Sequence, residues 1–164
     1  MRILGIDPGT ATTGFGVVNV NGHEQYEVLD LGLIETTKDT PHGQRLEQIY
    51  EGISQIILKH SPEVVAIERL FFATNALTAI AVGQAIGVIK LAIHRHNLPV
   101  FDYTPMQVKL YVGGSGKADK KQMKQVVRKL LKVKARPGRK SHFDDTADAL
   151  AIAICHARKS IIVK

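Results

Sequence analysis

Acidic side chains recur at three places where their apolar surroundings make them conspicuous. Ile3-Leu4-Gly5-Ile6 closes on Asp7 and turns at Pro8-Gly9, and Val64-Val65-Ala66-Ile67 closes on Glu68. Asp144, Asp145 and Asp148 open a segment whose next seven residues, Ala149 to Cys155, are all apolar. A short apolar run ended by a turn reads as a buried strand. Asp7 and Glu68 therefore stand at strand ends, where ligands gather in open α/β sheets. Asp7 alone has two readings: an Asx-type turn bonded to the amides of Gly9 and Thr10, or part of a metal or phosphate site. Glu68 alone reads as a strand-end residue paired to Arg69 or to a helix dipole.

The third group adds what single acids lack. Asp145 and Asp148 are three residues apart and Asp144 and Asp148 four, so either pair shares a helix face. A helix dipole accounts for an acid in the first turn, but not for Asp148, one turn further in and followed by residues that need burial. Carboxylates gathered from two strand ends and one helix repel one another and titrate abnormally unless divalent cations neutralise them. Oxygen ligands without His or Cys clusters suit Mg²⁺ or Mn²⁺. Two such ions can stabilise the attacking and leaving oxygens of a displacement at phosphorus.

The charge distribution points to the substrate class. Gln107 to Lys140 holds twelve Lys or Arg against one acid, Asp119, a local charge of +11 that leaves −4 for the remainder of a chain totalling +7. Clustered cations displace counterions from nucleic-acid phosphates, so this segment predicts a polyanionic partner, with Lys109, Lys117, Lys120, Lys121 and Lys124 as candidate DNA contacts. Gly113-Gly114-Ser115-Gly116-Lys117 is not a nucleotide-binding P-loop, because the required spacing is missing and Ala118 follows the lysine.

The elements that must position these residues follow in order. After the Asp7 turn, Gly14 to Val20, the Asn21-Gly22 turn, and Tyr26 to Leu29 and Leu31 to Glu35 as the next strand or strands predict an antiparallel meander. Thr40-Pro41 predicts a helix start with Thr at the N-cap, and Leu46, Ile49, Tyr50, Ile53, Ile56 and Ile57 carry its apolar face to about Lys59. Ser61-Pro62 ends it. Phe71 and Phe72 follow Glu68 in a loop, where an exposed ring could stack on or wedge between bases or both could pack under the next helix. That helix runs from about Asn75 to His96, with Leu77, Ile80, Ala81, Gln84, Ala85, Val88, Leu91 and Ala92 in period and many small residues that suit its own sheet or a two-fold dimer contact. Leu98 to Tyr103 predicts a third buried strand. Thr104-Pro105 and Asp119 each cap a helix, the second basic and amphipathic. Lys132 to Lys140 forms a basic loop before the last helix.

At 164 residues the chain fits one domain, residues 1–159, with a short tail at 160–164. The single cysteine, Cys155, allows no internal disulfide and lacks a basic partner. A cytoplasmic, reducing setting is expected. The N-terminal apolar run is too short for a signal peptide, and no stretch is expected to approach the ~20 apolar residues of a membrane span.

Taken together, Gly5-Ile6-Asp7-Pro8-Gly9, Ala66-Ile67-Glu68, Gly83-Gln84-Ala85-x-Gly87 and Asp148-Ala149-Leu150-Ala151-Ile152-Ala153 closely resemble the RuvC family of Holliday junction resolvases, over nearly the whole chain. The resemblance implies an α/β, ribonuclease H-like fold with a mixed sheet and helices on both faces. It also implies a homodimer and Mg²⁺-dependent symmetric nicking of four-way DNA junctions in recombination and repair. It assigns the catalytic and metal-binding acids to Asp7, Glu68, Asp145 and Asp148, choosing Asp145 over Asp144. Two Mg²⁺ per site are implied, with Mn²⁺ able to substitute. Phe71, with Phe72 as second candidate, falls on the base-contacting aromatic, and Lys109 and Lys120 on DNA-binding lysines. His142 lies outside the matching register. RuvA and RuvB, a branch-migration complex, are implied partners.

Three other readings are distinguishable. An actin-like or sugar-kinase-like ATPase shares the first phosphate loop but needs a second lobe and a second Asp-Gly loop. A junction-binding protein without activity has no use for Asp148. A ribonuclease of similar fold would use the same acids and differ only in substrate.

Overall fold

The computed structural model describes residues 1–22, 24–69, 76–132 and 142–162, without the side chains of residues 76, 142–145, 161 and 162. Five strands, β1 (Arg2–Asp7), β2 (Thr12–Val20), β3 (Tyr26–Glu35), β4 (Val64–Glu68) and β5 (Val100–Tyr103), form one mixed sheet in the order β3-β2-β1-β4-β5. The meander is present: β1 pairs antiparallel with β2, and β2 with β3, with a register shift between Val17 and Val18. β4 joins β1 in parallel, with Gly5 opposite Ala66 and Ile6 opposite Ile67.

Side-chain alternation divides the core into two layers. Leu4, Ile6, Val17, Val65 and Ile67 point to the face covered by α1 (His42–His60) and α2 (Ala76–Arg95). Ile3, Val18, Val64, Ala66 and Tyr103 point to the face covered by α3 (Pro105–Gly113), α4 (Lys120–Leu130) and α5 (His142–Ile162). Helices therefore lie on both faces, as the sequence predicts. α5 continues to Ile162, past residue 160, where the tail is expected to begin.

Several local expectations differ. Pro41, not Thr40, is the N-cap of α1, without a side-chain cap bond; the Thr40 hydroxyl meets that of Thr37 instead, at 2.9 Å. β5 is an edge strand, not a third buried one: Val100 and Phe101 are exposed, and only Tyr103 is buried. α2 buries Ala85, Ile89, Ala92 and Ile93, whereas Leu77, Ile80 and Leu91 are each more than half exposed. A helix apolar on most sides offers more than one 3.6-residue stripe, so periodicity could not select the inward one. Contrary to the expectation of no span-length stretch, Leu77–Arg95 has a mean hydropathy of 1.6 and, by length and composition only, could cross a membrane. Its inward stripe instead belongs to the core layer with α1.

The caps of α3 and α4 are as predicted. Thr104 and Gln107 form a reciprocal capping box with Pro105 in the first turn, and Asp119 and Gln122 form another.

Candidate active site

Strand parity decides where the acids face. Ile3, Gly5 and Asp7 alternate onto one side of β1, and Val64, Ala66 and Glu68 onto the same side of β4. Asp7 and Glu68 are thus the last residues of two adjacent rows on the face that α5 covers. The preceding positions are small for a reason: a Cβ on Gly5 would lie 2.1 Å from the Ala149 carbonyl oxygen and 2.8 Å from the Ala153 nitrogen, and one on Gly16 2.6 Å from Leu150 Cδ2. The α5 backbone therefore rests directly on β1 and β2, which brings Asp148, next to Ala149, up to the strand ends.

The turn after Asp7 is fixed from outside. Thr13 Oγ1 donates to the Gly9 carbonyl (2.7 Å), Thr36 Oγ1 donates to the Thr10 carbonyl (2.5 Å), and Arg45 Nε donates to Thr36 Oγ1 (2.8 Å). A Cβ on Gly9 would sit 2.3 Å from the Thr12 carbonyl oxygen, so only glycine fits there.

Electrostatics join the acids. Burial first, then the negative charge of Asp148, push the Asp7 carboxyl up to about 6, against the opposing pull of Lys120. Burial, Asp7 and Asp148 push Glu68 up to about 7, while Lys109 and Lys120 pull the other way. Among the described residues, no three His, Cys, Asp or Glu side chains stand close enough to share one ion. Asp148 nevertheless stands near enough to raise the proton affinity of Asp7 and Glu68, and Asp7 that of Glu68, the behaviour of a site short of positive charge. An all-carboxylate donor set of this kind fits a hard divalent cation.

A cleft of about 250 Å³ opens beside these acids, lined by Glu68, Asp148, Lys109, Lys120 and the apolar wall of Pro105, Val108, Met123 and Ala151. Lys109 projects from α3 and Lys120 from the first turn of α4; Lys120 Nζ lies 3.3 Å from Asp148 Oδ2. Lys117 and Lys121 are exposed and do not line the cleft, and neither does the partly buried Lys124. Phe71 and Phe72, and most of the Lys132 to Lys140 loop, lie outside the described residues; Asp144, Asp145 and His142 lie on α5, but their side chains are likewise outside.

Sequence reasoning missed the residues that brace the site. Tyr103, opposite Glu68 in the sheet, exchanges a 2.8 Å hydrogen bond between its hydroxyl and His156 Nδ1, tying β5 to α5. Arg158 Nη1 donates to the carbonyls of Tyr111 and Val112, both at 3.0 Å, closing the end of α3. A lone histidine and a lone arginine near the end of an apolar helix were the available signals.

Comparison with known proteins adds a second line. Residues 3–156 match the family model described as crossover junction endodeoxyribonuclease RuvC. A protein of that name from Alkaliphilus oremlandii is 48% identical over 157 residues, covering 96% of this chain and 93% of the relative. The solved structure described as T. thermophilus RuvC in complex with Holliday junction substrate superposes with a TM-score of 0.91 at 36% identity, covering 99% of this chain and 96% of that one. The yeast mitochondrial Holliday junction resolvase Ydc2 shares the fold, with a TM-score of 0.71 at 18% identity over 96% of this chain and 78% of that one.

Proposed function

The chain belongs to the RuvC family of crossover junction endodeoxyribonucleases, ribonuclease H-like nucleases that hydrolyse phosphodiester bonds to resolve Holliday junctions, and from that premise we propose how its residues do so. Asp7, Glu68 and Asp148, with Asp145 from the same helix, are the catalytic and metal-holding carboxylates. The observation that carries this is the convergence of Asp7, Glu68 and Asp148, in which Asp148 raises the proton affinity of the other two, at a cleft whose other charged residues are lysines.

Two divalent cations, Mg²⁺ with Mn²⁺ able to substitute, would supply Lewis-acid activation of water and stabilisation of the leaving 3′ oxygen. Asp7, on a rigid strand end, fixes the position at which the phosphate is met. Glu68 and Asp148 flank it from β4 and α5 and hold the negative charge that retains the ions. Lys109 and Lys120 draw the phosphodiester backbone into the cleft, and Lys117, Lys121 and Lys124 extend the basic surface along the duplex arm. Phe71, with Phe72 second, contacts bases at the junction. Products are a 5′-phosphate and a 3′-hydroxyl.

Paired symmetric nicks require two such sites, so the working unit is a C2 homodimer matching the two-fold symmetry of the junction. Leu77, Ile80 and Leu91 on α2, together with Gly83 and Gly87, where an added Cβ would meet nothing within 4 Å, support that helix as the contact. RuvA and RuvB are the branch-migration partners, and the cytoplasm, which holds the DNA substrate, is the location. Residues 1–159 act as one nuclease domain.

The test is cleavage of a labelled mobile four-way junction beside a linear duplex and an RNA/DNA hybrid in Mg²⁺. Paired nicks in opposite junction strands are expected, with little cutting of either control. Preferential cutting of the hybrid would contradict the junction assignment.

A further inference from the structure

We propose that Lys120 is the built-in counter-ion of the metal-free site: it holds Asp148 until a divalent cation displaces it, and the released ammonium then takes a junction phosphate. The inference rests on the reading of the carboxylates as a metal site and adds an exchange step to it. Lys120 Nζ lies 3.3 Å from Asp148 Oδ2, on an acid that also raises the proton affinity of Asp7 and Glu68. One ammonium therefore occupies an oxygen that a metal would ligate, and its charge opposes the repulsion among all three acids.

The contact is built to be exchanged. The Lys120 side chain is 74% exposed and that of Asp148 38%, so the pair sits at the cleft mouth, where an ion pair is weak. Its backbone is anchored, in contrast. Asp119 and Gln122 cap the helix start, and Ala118 and Met123 on either side are buried against α3 and α5. A flexible four-carbon stem can therefore swing from Asp148 to a phosphate without moving α4. Metal binding and DNA binding are thereby coupled, and the coupling is reciprocal.

Mn²⁺ binding without DNA is measured by calorimetry for the wild type, Lys120→Gln, Lys121→Gln and Asp148→Asn, with circular dichroism confirming the fold of each. Lys121 is the exposed neighbour outside the cleft and controls for loss of one positive charge. Lys120→Gln is expected to bind Mn²⁺ about 2- to 5-fold more tightly than the wild type, the scale of one exposed ion pair, and more tightly than Lys121→Gln. Asp148→Asn is expected to bind weakly. Ca²⁺ is expected to strengthen junction binding more in the wild type than in Lys120→Gln. Equal or weaker Mn²⁺ binding by Lys120→Gln, beside a wild type that binds and an Asp148→Asn that does not, would overturn the exchange alone. Absence of Mn²⁺ binding by the wild type would overturn the metal site and the exchange with it.

Discussion

At the scale of single residues, the chemistry rests on acids that the fold holds in an unfavourable state. Asp7 and Glu68 bind protons more tightly folded, at about 6 and about 7, than their ordinary values of 3.8 and 4.5. Between roughly pH 4 and 7 the native state therefore holds more protons than the unfolded one, and their contribution to stability falls as pH rises through that window. Removing one charge should relieve the strain. In metal-free protein, Asp7→Asn is expected to melt above the wild type at pH 8 and to lose that advantage at pH 4, where both acids are protonated anyway. Calorimetric melts in chelator across that range check this, with about 2–4 °C per kcal/mol for a chain of this size. A divalent cation should stabilise the wild type most above pH 7, where the site is fully charged. Lys109→Met, which removes a cation beside Glu68, is expected to weaken junction binding uniformly across sequences and to reduce the salt slope by about 1, as salt titrations would read.

At the scale of elements, the close seating of α5 on β1 sets the geometry. Gly5→Ala would drive a methyl into the Ala149 carbonyl, which lies 2.1 Å from the added carbon. The expected cost is about 1–3 kcal/mol of stability, with a fall in cleavage larger than the lost folded fraction explains, because Asp148 moves with α5. Paired melting and single-turnover cleavage measurements separate the two. The strand ends carrying Asp7 and Glu68 were legible in sequence because a buried strand, a carboxylate and a turn are all local signals. The reason for Gly5 was not, because close approach of Ala149, 144 residues later on α5, leaves no local mark. Thr40 misled because a Thr-Pro pair satisfies cap statistics whether or not its hydroxyl finds the helix amides. The Lys120–Asp148 pair and the Tyr103–His156 bond were equally invisible, each joining residues far apart along the chain.

At the scale of the whole molecule, two surfaces among the described residues are proposed for partners: the lysine-lined cleft and the outer stripe of α2. The first was legible from charge, since twelve cations against one acid between Gln107 and Lys140 cannot all be neutralised within the segment. The second was legible only as apolarity. Packing on α1 used Ala85, Ile89, Ala92 and Ile93 and left Leu77, Ile80 and Leu91 outward. Replacing Leu77 and Leu91 together by Glu is expected to turn a dimer into a monomer in sedimentation at micromolar concentration, while the fold by circular dichroism is kept. Junction cleavage by that variant should yield unpaired nicks.

The most direct measurement is single-turnover cleavage of a labelled four-way junction by the wild type and Asp148→Asn over a Mg²⁺ titration, with junction affinity measured in parallel in Ca²⁺. The carboxylate site predicts a loss of at least about 100-fold in cleavage rate for Asp148→Asn, with binding in Ca²⁺ retained. Undiminished cleavage by the variant, or binding and cleavage lost in proportion, would contradict it.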